Sequence, residues 1–157
     1  MTPGRPRAVA DTGVYVSGLL SANGVCGRLL DALQAREWEA VVSPLLLDEL
    51  SRVLLRPGLA KQFARRPGPV AVLLEFRLLS RLVDLADLVE DPPDRPAVLR
   101  DPDDDYLVAL ATAANADVIV SGDRDLTTAT GLEVQVLTPR AFLDRLQDPE
   151  GHQATND

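Results

Sequence analysis

Short apolar segments alternate with stretches of helical period along almost the whole chain, and this alternation limits the fold more than any other feature. Residues Ala8 to Ala10 read as a strand ending at Asp11, Ala40 to Ser43 as a second, Val118-Ile119-Val120 as a buried one, and Val134 to Leu137 as a last. Between them lie helical patterns. One carries Leu29, Leu30 and Leu33 after the Asn23-Gly24 break. Another carries Leu46, Leu50, Val53 and Leu54 after the N-cap and first-turn pair Ser43-Pro44, and Arg56-Pro57-Gly58 ends it. A further helix is predicted from Val70 to Leu82, with Val83-Asp84-Leu85 as a strand or extended connection. Pro92, Pro93 and Pro96 make Asp91 to Arg100 a loop, Asp101-Pro102 opens a helix running to about Asn115, and Thr138-Pro139 caps a last one through about Leu146. Strands that alternate with helices form a parallel sheet covered on both faces, so an α/β domain is expected. Such sheets take their ligands beyond the carboxyl ends of the strands.

The 157 residues suffice for one domain, predicted over 1–147, with a polar and disordered tail over 148–157. There is no run of 18 apolar residues and no signal-peptide pattern, so a soluble cytoplasmic protein without membrane partners is the expectation. One cysteine, Cys26, and one histidine, His152 in the tail, leave a Cys/His zinc site, a Ser/His/Asp triad and a Cys/His pair without their parts. Chemistry therefore falls to carboxylates, hydroxyls, arginines or a cofactor.

Net charge is −8, from 16 basic and 24 acidic residues, which gives no global attraction to nucleic acid. Its distribution is uneven. Arg52, Arg56, Lys61, Arg65, Arg66, Arg77 and Arg81 face only Glu75 between residues 52 and 81, whereas residues 82–105 hold nine acids against Arg95 and Arg100. Two solvated helix faces and an acidic loop account for this simply. A local basic rim carrying Arg52 and Arg56 is the functional alternative, with those two side chains binding substrate.

Acidic residues follow three of the strands. Asp11 comes directly after the first, Glu49 sits in the second turn of the helix after the second, and Asp123 lies three residues beyond Val120. On a helical wheel with Asp104 at zero, Leu107, Val108 and Ala111 fall within about 60° of it, so Asp104 points along an apolar face, and Asp105 falls at about 100°, towards its edge. A carboxylate aimed at a core is costly unless it is paired or holds a cation. Each acid also has an ordinary explanation. Asp101 is a natural N-cap, Asp103 favours the helix dipole, Glu49 can pair with Arg52, and Asp11, Asp123 and Asp125 suit turns. Their shared place at one sheet edge favours a site. Gathered carboxylates raise one another's pKa unless a divalent cation neutralises them, and oxygen ligands alone suit Mg²⁺ or Mn²⁺ acting on a phosphodiester.

The segments AVADTGVYVSGLL (8–20), SPLLLDELSRVL (43–54), RDPDDDYLVALATAANADVIVSGDRDL (100–126) and VQVLTPRAFL (134–143) resemble the PIN-domain nucleases, in particular the VapC-like toxins of bacterial toxin–antitoxin pairs. The resemblance spans about residues 8–146 and implies a three-layer α/β/α sandwich with a central parallel sheet. It also implies a Mg²⁺- or Mn²⁺-dependent endoribonuclease whose metal-binding and catalytic residues are Asp11, Glu49, Asp104 and Asp123. Ser121 is the hydroxyl of the T/S-G-D pattern, and Thr12, Asp101, Asp105 and Asp125 stand as supporting residues. An RNA substrate, a cognate antitoxin and a homodimer are the partners it implies. One position departs from the pattern, because Gly13 stands where the D-T-N motif has asparagine and a polar group is missing there.

Two other readings are weaker. A haloacid-dehalogenase-like phosphatase needs a second aspartate where Gly13 stands, and a receiver domain needs a lysine after its last strand, whereas the one lysine is Lys61. A non-catalytic PIN domain that binds RNA or a protein fits the same motifs. Six aromatic residues, Tyr15, Trp38, Phe63, Phe76, Tyr106 and Phe142, give little support for readout of RNA by stacking.

Overall fold

A computed structural model of the chain describes residues 4–56, 68–94 and 104–149, with side chains in the stretch after residue 67 described from Arg77 onward. Asp101, Asp103, the stop at Pro57-Gly58, Lys61, Arg65 and Arg66, the loop beyond Asp94 and the tail from residue 150 lie outside the described residues.

The elements in chain order are β1 (Arg7–Ala10), α1 (Thr12–Leu20), α2 (Val25–Gln34), β2 (Glu39–Val42), α3 (Pro44–Leu54), α4 (Gly68–Leu85), β3 (Asp87–Leu88), α5 (Asp105–Ala113), β4 (Val118–Val120), α6 (Arg124–Thr127), β5 (Gln135–Leu137) and α7 (Pro139–Gln147). The five strands form one parallel sheet in the order β3-β2-β1-β4-β5, flanked by helices. Register sets Ala8 beside Val118 and Ala10 beside Val120, so β1 and β4 end side by side and Asp11 and Ser121 leave the sheet as neighbours. Ala8, Val9, Ala10, Ala40, Val41, Val42, Val118, Ile119 and Val120 are fully buried, as the central strands of a sheet covered on both faces must be.

Three helices start on a side-chain cap, two of them, at Ser43 and Thr138, where the sequence placed one and the third at Asp11, which it read as a turn residue. Asp11 accepts from the Val14 amide (3.0 Å), Ser43 from that of Leu46 (3.2 Å) and Thr138 from that of Ala141 (3.1 Å). Asp91 adds a second acceptor at the start of α3 by binding the Leu45 amide at 2.9 Å. At the opposite end of the sheet, the Arg7 guanidinium reaches Glu39 (2.5 Å), Asp87 (2.7 Å) and the Ala114 carbonyl (2.8 Å), joining β1, β2, β3 and the end of α5. Trp38 locks a third corner. Its indole donates to the Leu29 carbonyl at 2.8 Å, and its ring meets Phe142 edge-on at 5.4 Å.

The structure departs from the sequence reading at four elements. Val83-Asp84-Leu85 continues α4, and the strand is the two-residue β3 just after it. Leu78, Leu82 and Leu85 keep a helical face inward while Val83 points to solvent at 52% exposure, so the 3.6-residue period overrides the local apolar run. Helix α1 has no counterpart in the sequence reading, since an almost uniformly apolar segment displays no stripe; Val14, Tyr15, Val16 and Gly18 are all buried in it. The one-turn α6, just after Asp123, falls where the sequence reading places no element. Helix α5 begins at Asp105, and every residue from Asp105 to Ala111 is buried, so no wheel separates an inner from an outer face there. Among the described residues, no helix is long and apolar enough to cross a membrane.

Helix α2 approaches the end of α1 so closely that a Cβ on Gly27 would lie 2.2 Å from the Ala22 carbonyl oxygen. Alanine gains about 1 kcal/mol in intrinsic helix propensity over glycine, but a backbone clash of this kind costs more. Gly27→Ala is therefore expected to lower stability by about 1–2 kcal/mol in urea denaturation, against the direction that propensity alone dictates.

Candidate functional site

Parallel strands point all their carboxyl ends the same way, and the helices that follow begin there with their amide groups directed at the same space. Three of the four acids singled out by the sequence stand at such junctions. Asp11 is the N-cap of α1, Asp104 that of α5 and Asp123 that of α6, while Glu49 comes from the second turn of α3. All four line one cavity of about 350 Å³, together with Thr12, Gly13, Val14, Ser17, Cys26, Tyr106, Leu107, Gly122 and Pro139.

Asp11 holds the centre. Its Oδ1 accepts from the Val14 amide at 3.0 Å and its Oδ2 from the Ser121 hydroxyl. Ser121, fully buried, also accepts from the Asp123 amide at 3.0 Å, so a single hydroxyl connects the ends of β1 and β4. Burial pushes the Asp11 carboxyl above its ordinary range and the charge of Asp123 adds to the shift, against the Ser121, Val14 and Gly13 donors. Burial and the Asp11 charge likewise push up the Cys26 thiol on the cavity wall. Glu49 Oε2 accepts from the Tyr106 hydroxyl, and burial together with Glu49 pushes that phenol far above its usual range.

Asp123 Oδ1 caps α6 through the Asp125 amide at 3.0 Å. Asp125 itself does not line the cavity, whereas Thr12 does. Asp105, placed by the wheel at the edge of the apolar face, is buried at 4% exposure and is absent from the cavity wall, where Asp104 stands. Neither Arg52 nor Arg56 lines the cavity. Arg52 pairs with Asp48 at 3.1 Å on the exposed side of α3 instead of with Glu49, and Arg56 is exposed just past the helix end. Sequence reasoning did not single out Tyr106 or Cys26. Tyr106 directly follows the acidic run, yet no local pattern announces a partner 57 residues away.

A hard divalent ion makes definite demands on such a donor set. Among the described residues, no three His, Cys, Asp or Glu side chains stand close enough to form a ready coordination shell. Mg²⁺ demands less than that, since it keeps several waters and is held through one or two carboxylates. Oxygen donors on the same wall, and a half-buried Asp11 whose pKa is raised by burial and further by the charge of Asp123, suit such a cation. At Gly13, the position that departs from the D-T-N pattern, a Cβ would come within 3.2 Å of Asp11 Oδ1.

Residues 7–125 match the family model for the PIN domain. The chain is 26% identical over 150 residues to the uncharacterized protein MJ1680 of Methanocaldococcus jannaschii, covering 90% of this chain and 92% of that one. Among solved structures, it superimposes on PAE2754 from Pyrobaculum aerophilum with a TM-score of 0.60 and 18% identity, covering 91% of this chain and 96% of that one. It superimposes on Mycobacterium tuberculosis VapC20, a toxin that cleaves the sarcin–ricin loop, with a TM-score of 0.50 and 16% identity over 81% and 98% of the two chains. These likenesses at low identity concern the fold alone, and the match to the family model covers well over half of the sequence. The chain belongs to the PIN-domain family.

Proposed function

We propose that this protein is a Mg²⁺- or Mn²⁺-dependent endoribonuclease, the toxin of a toxin–antitoxin pair, with its active site in the cavity lined by Asp11, Glu49, Asp104 and Asp123. The observation that carries the reading is that four carboxylates from separate parts of the chain share one cavity wall at the carboxyl edge of the sheet. Those four residues would hold the ion. When bound, it supplies positive charge and Lewis acidity towards a phosphodiester. Ser121 keeps the Asp11 carboxylate oriented by donating to Oδ2, and α1 holds the other oxygen through the Val14 amide. Without a cation, the same wall repels a phosphate group. Arg52 and Arg56, exposed at the end of α3, provide the rim that receives the RNA backbone, and a cognate antitoxin and a homodimer complete the assembly.

Purified protein with Mn²⁺ is expected to cleave RNA, and Asp11→Asn and Asp104→Asn are each expected to abolish both cleavage and Mn²⁺ binding. Cleavage that survives both substitutions overturns the site, and Mn²⁺ binding without cleavage of structured or unstructured RNA favours a non-catalytic PIN domain. Replacing Arg52 and Arg56 together by Ala is expected to weaken RNA binding and lower the slope of log affinity against log salt by about 1 for each phosphate left unneutralised. An unchanged slope removes these residues from the interface.

Stability gives an independent readout. A carboxyl raised in the folded state favours its protonated form there, so its contribution is fully present below the unfolded pKa and lost as pH rises through the folded one. Metal-free Asp11→Asn is therefore expected to gain in melting temperature relative to wild type as pH rises from 4 towards 7, since Asn caps a helix as well as Asp. Mn²⁺ should reverse the order by stabilising only the wild type.

A further inference from the structure

The Tyr106 side chain joins two helices at the cavity. It sits on α5 two residues after Asp104, is 5% exposed, and its hydroxyl donates to Glu49 Oε2 on α3. A phenylalanine would fill the same core volume, and a buried hydroxyl is unfavourable unless a partner satisfies it. Packing therefore explains the ring and leaves the oxygen unexplained. What the oxygen does touch is a carboxylate on the cavity wall. Glu49 differs from Asp11 in how it is held: Asp11 is short and fixed on both oxygens, whereas Glu49 reaches the wall on a longer chain with more rotamers to lose. Ser121 serves Asp11 from just past the end of β4, and Tyr106 occupies the corresponding place for Glu49, from a different element and a different part of the sequence.

We infer that Tyr106 is a positioning residue that fixes the Glu49 carboxylate, through its hydroxyl, in the orientation needed to bind a divalent cation, an inference that rests on the metal-dependent reading of this cavity. Residues that orient a ligating side chain usually alter metal affinity by 10- to 100-fold when removed. A hydrogen bond confined to one ligand also predicts a specific non-additivity, because its loss has nothing to act on once Glu49 no longer ligates.

The test is a double-mutant cycle read by Mn²⁺ binding, using wild type, Tyr106→Phe, Glu49→Gln and the double variant, with thermal melting of each metal-free protein measured alongside. Tyr106→Phe is expected to weaken Mn²⁺ binding about 10-fold, and to have no further effect in the Glu49→Gln background. Unchanged binding in Tyr106→Phe, or an equal loss in both backgrounds, overturns the positioning role while leaving the metal site intact. A wild type that binds no Mn²⁺ overturns the metal-dependent reading and the positioning role together. A second measurement needs no variant at Tyr106. With 3-fluorotyrosine at Tyr15 and Tyr106, Glu49→Gln is expected to shift one of the two ¹⁹F signals in the metal-free protein, and two unmoved signals overturn the hydrogen bond.

Discussion

A half-buried carboxylate that shares its cavity with other carboxylates is the constraint from which the rest of this molecule follows. Burial, with the charge of Asp123 added, lifts Asp11 above its ordinary pKa at the exit of the central strand, and three donors oppose that shift: the Ser121 hydroxyl and the amides of Val14 and Gly13. Those donors offset the burial only in part. One of those donors, the Val14 amide, also ties Asp11 to the first turn of α1. Site and fold are thus joined at one residue, which caps a helix with one oxygen and meets a neighbouring strand's serine with the other.

The parallel arrangement gives that residue its company. Because all five strands run one way, helix starts and strand ends collect on one edge, bringing Asp11, Asp104 and Asp123 to a common wall as N-caps. The ordinary explanation of these aspartates as helix caps and turn residues is correct as local chemistry for Asp11 and Asp123, whose oxygens do bind amides. It is incomplete because a carboxylate has more than one lone pair to offer. The opposite edge, clamped by Arg7 against Glu39 and Asp87, carries the complementary task of holding the strands in register.

Much of the architecture was legible beforehand. The strands ending at Asp11 and at Val120, the Ser43-Pro44 and Thr138-Pro139 starts, and the order of helices and strands all rest on signals confined to a few neighbouring residues. The misreadings occurred where local signals were ambiguous. An all-apolar α1 has no stripe, Val83-Asp84-Leu85 looks extended until Leu82 and Leu85 are placed on one helix face, and the buried opening turns of α5 defeat a wheel built to separate faces. Arg52 illustrates the same limit at the surface, since both Asp48 and Glu49 stand within helical reach and the structure selects Asp48.

By itself, the sequence determined the alternation of elements, the capping residues and the supply of oxygen ligands in place of sulfur or imidazole, because each depends on residue type and short spacing. Tertiary structure alone decided that Ser121 would meet Asp11 across 110 residues and Tyr106 would meet Glu49 across 57, and that Asp105 would be buried away from the cavity. The physical reason is that a side-chain hydrogen bond is set by the register of strands and the packing of helices. Both are properties of the assembled sheet, and no window along the chain contains them.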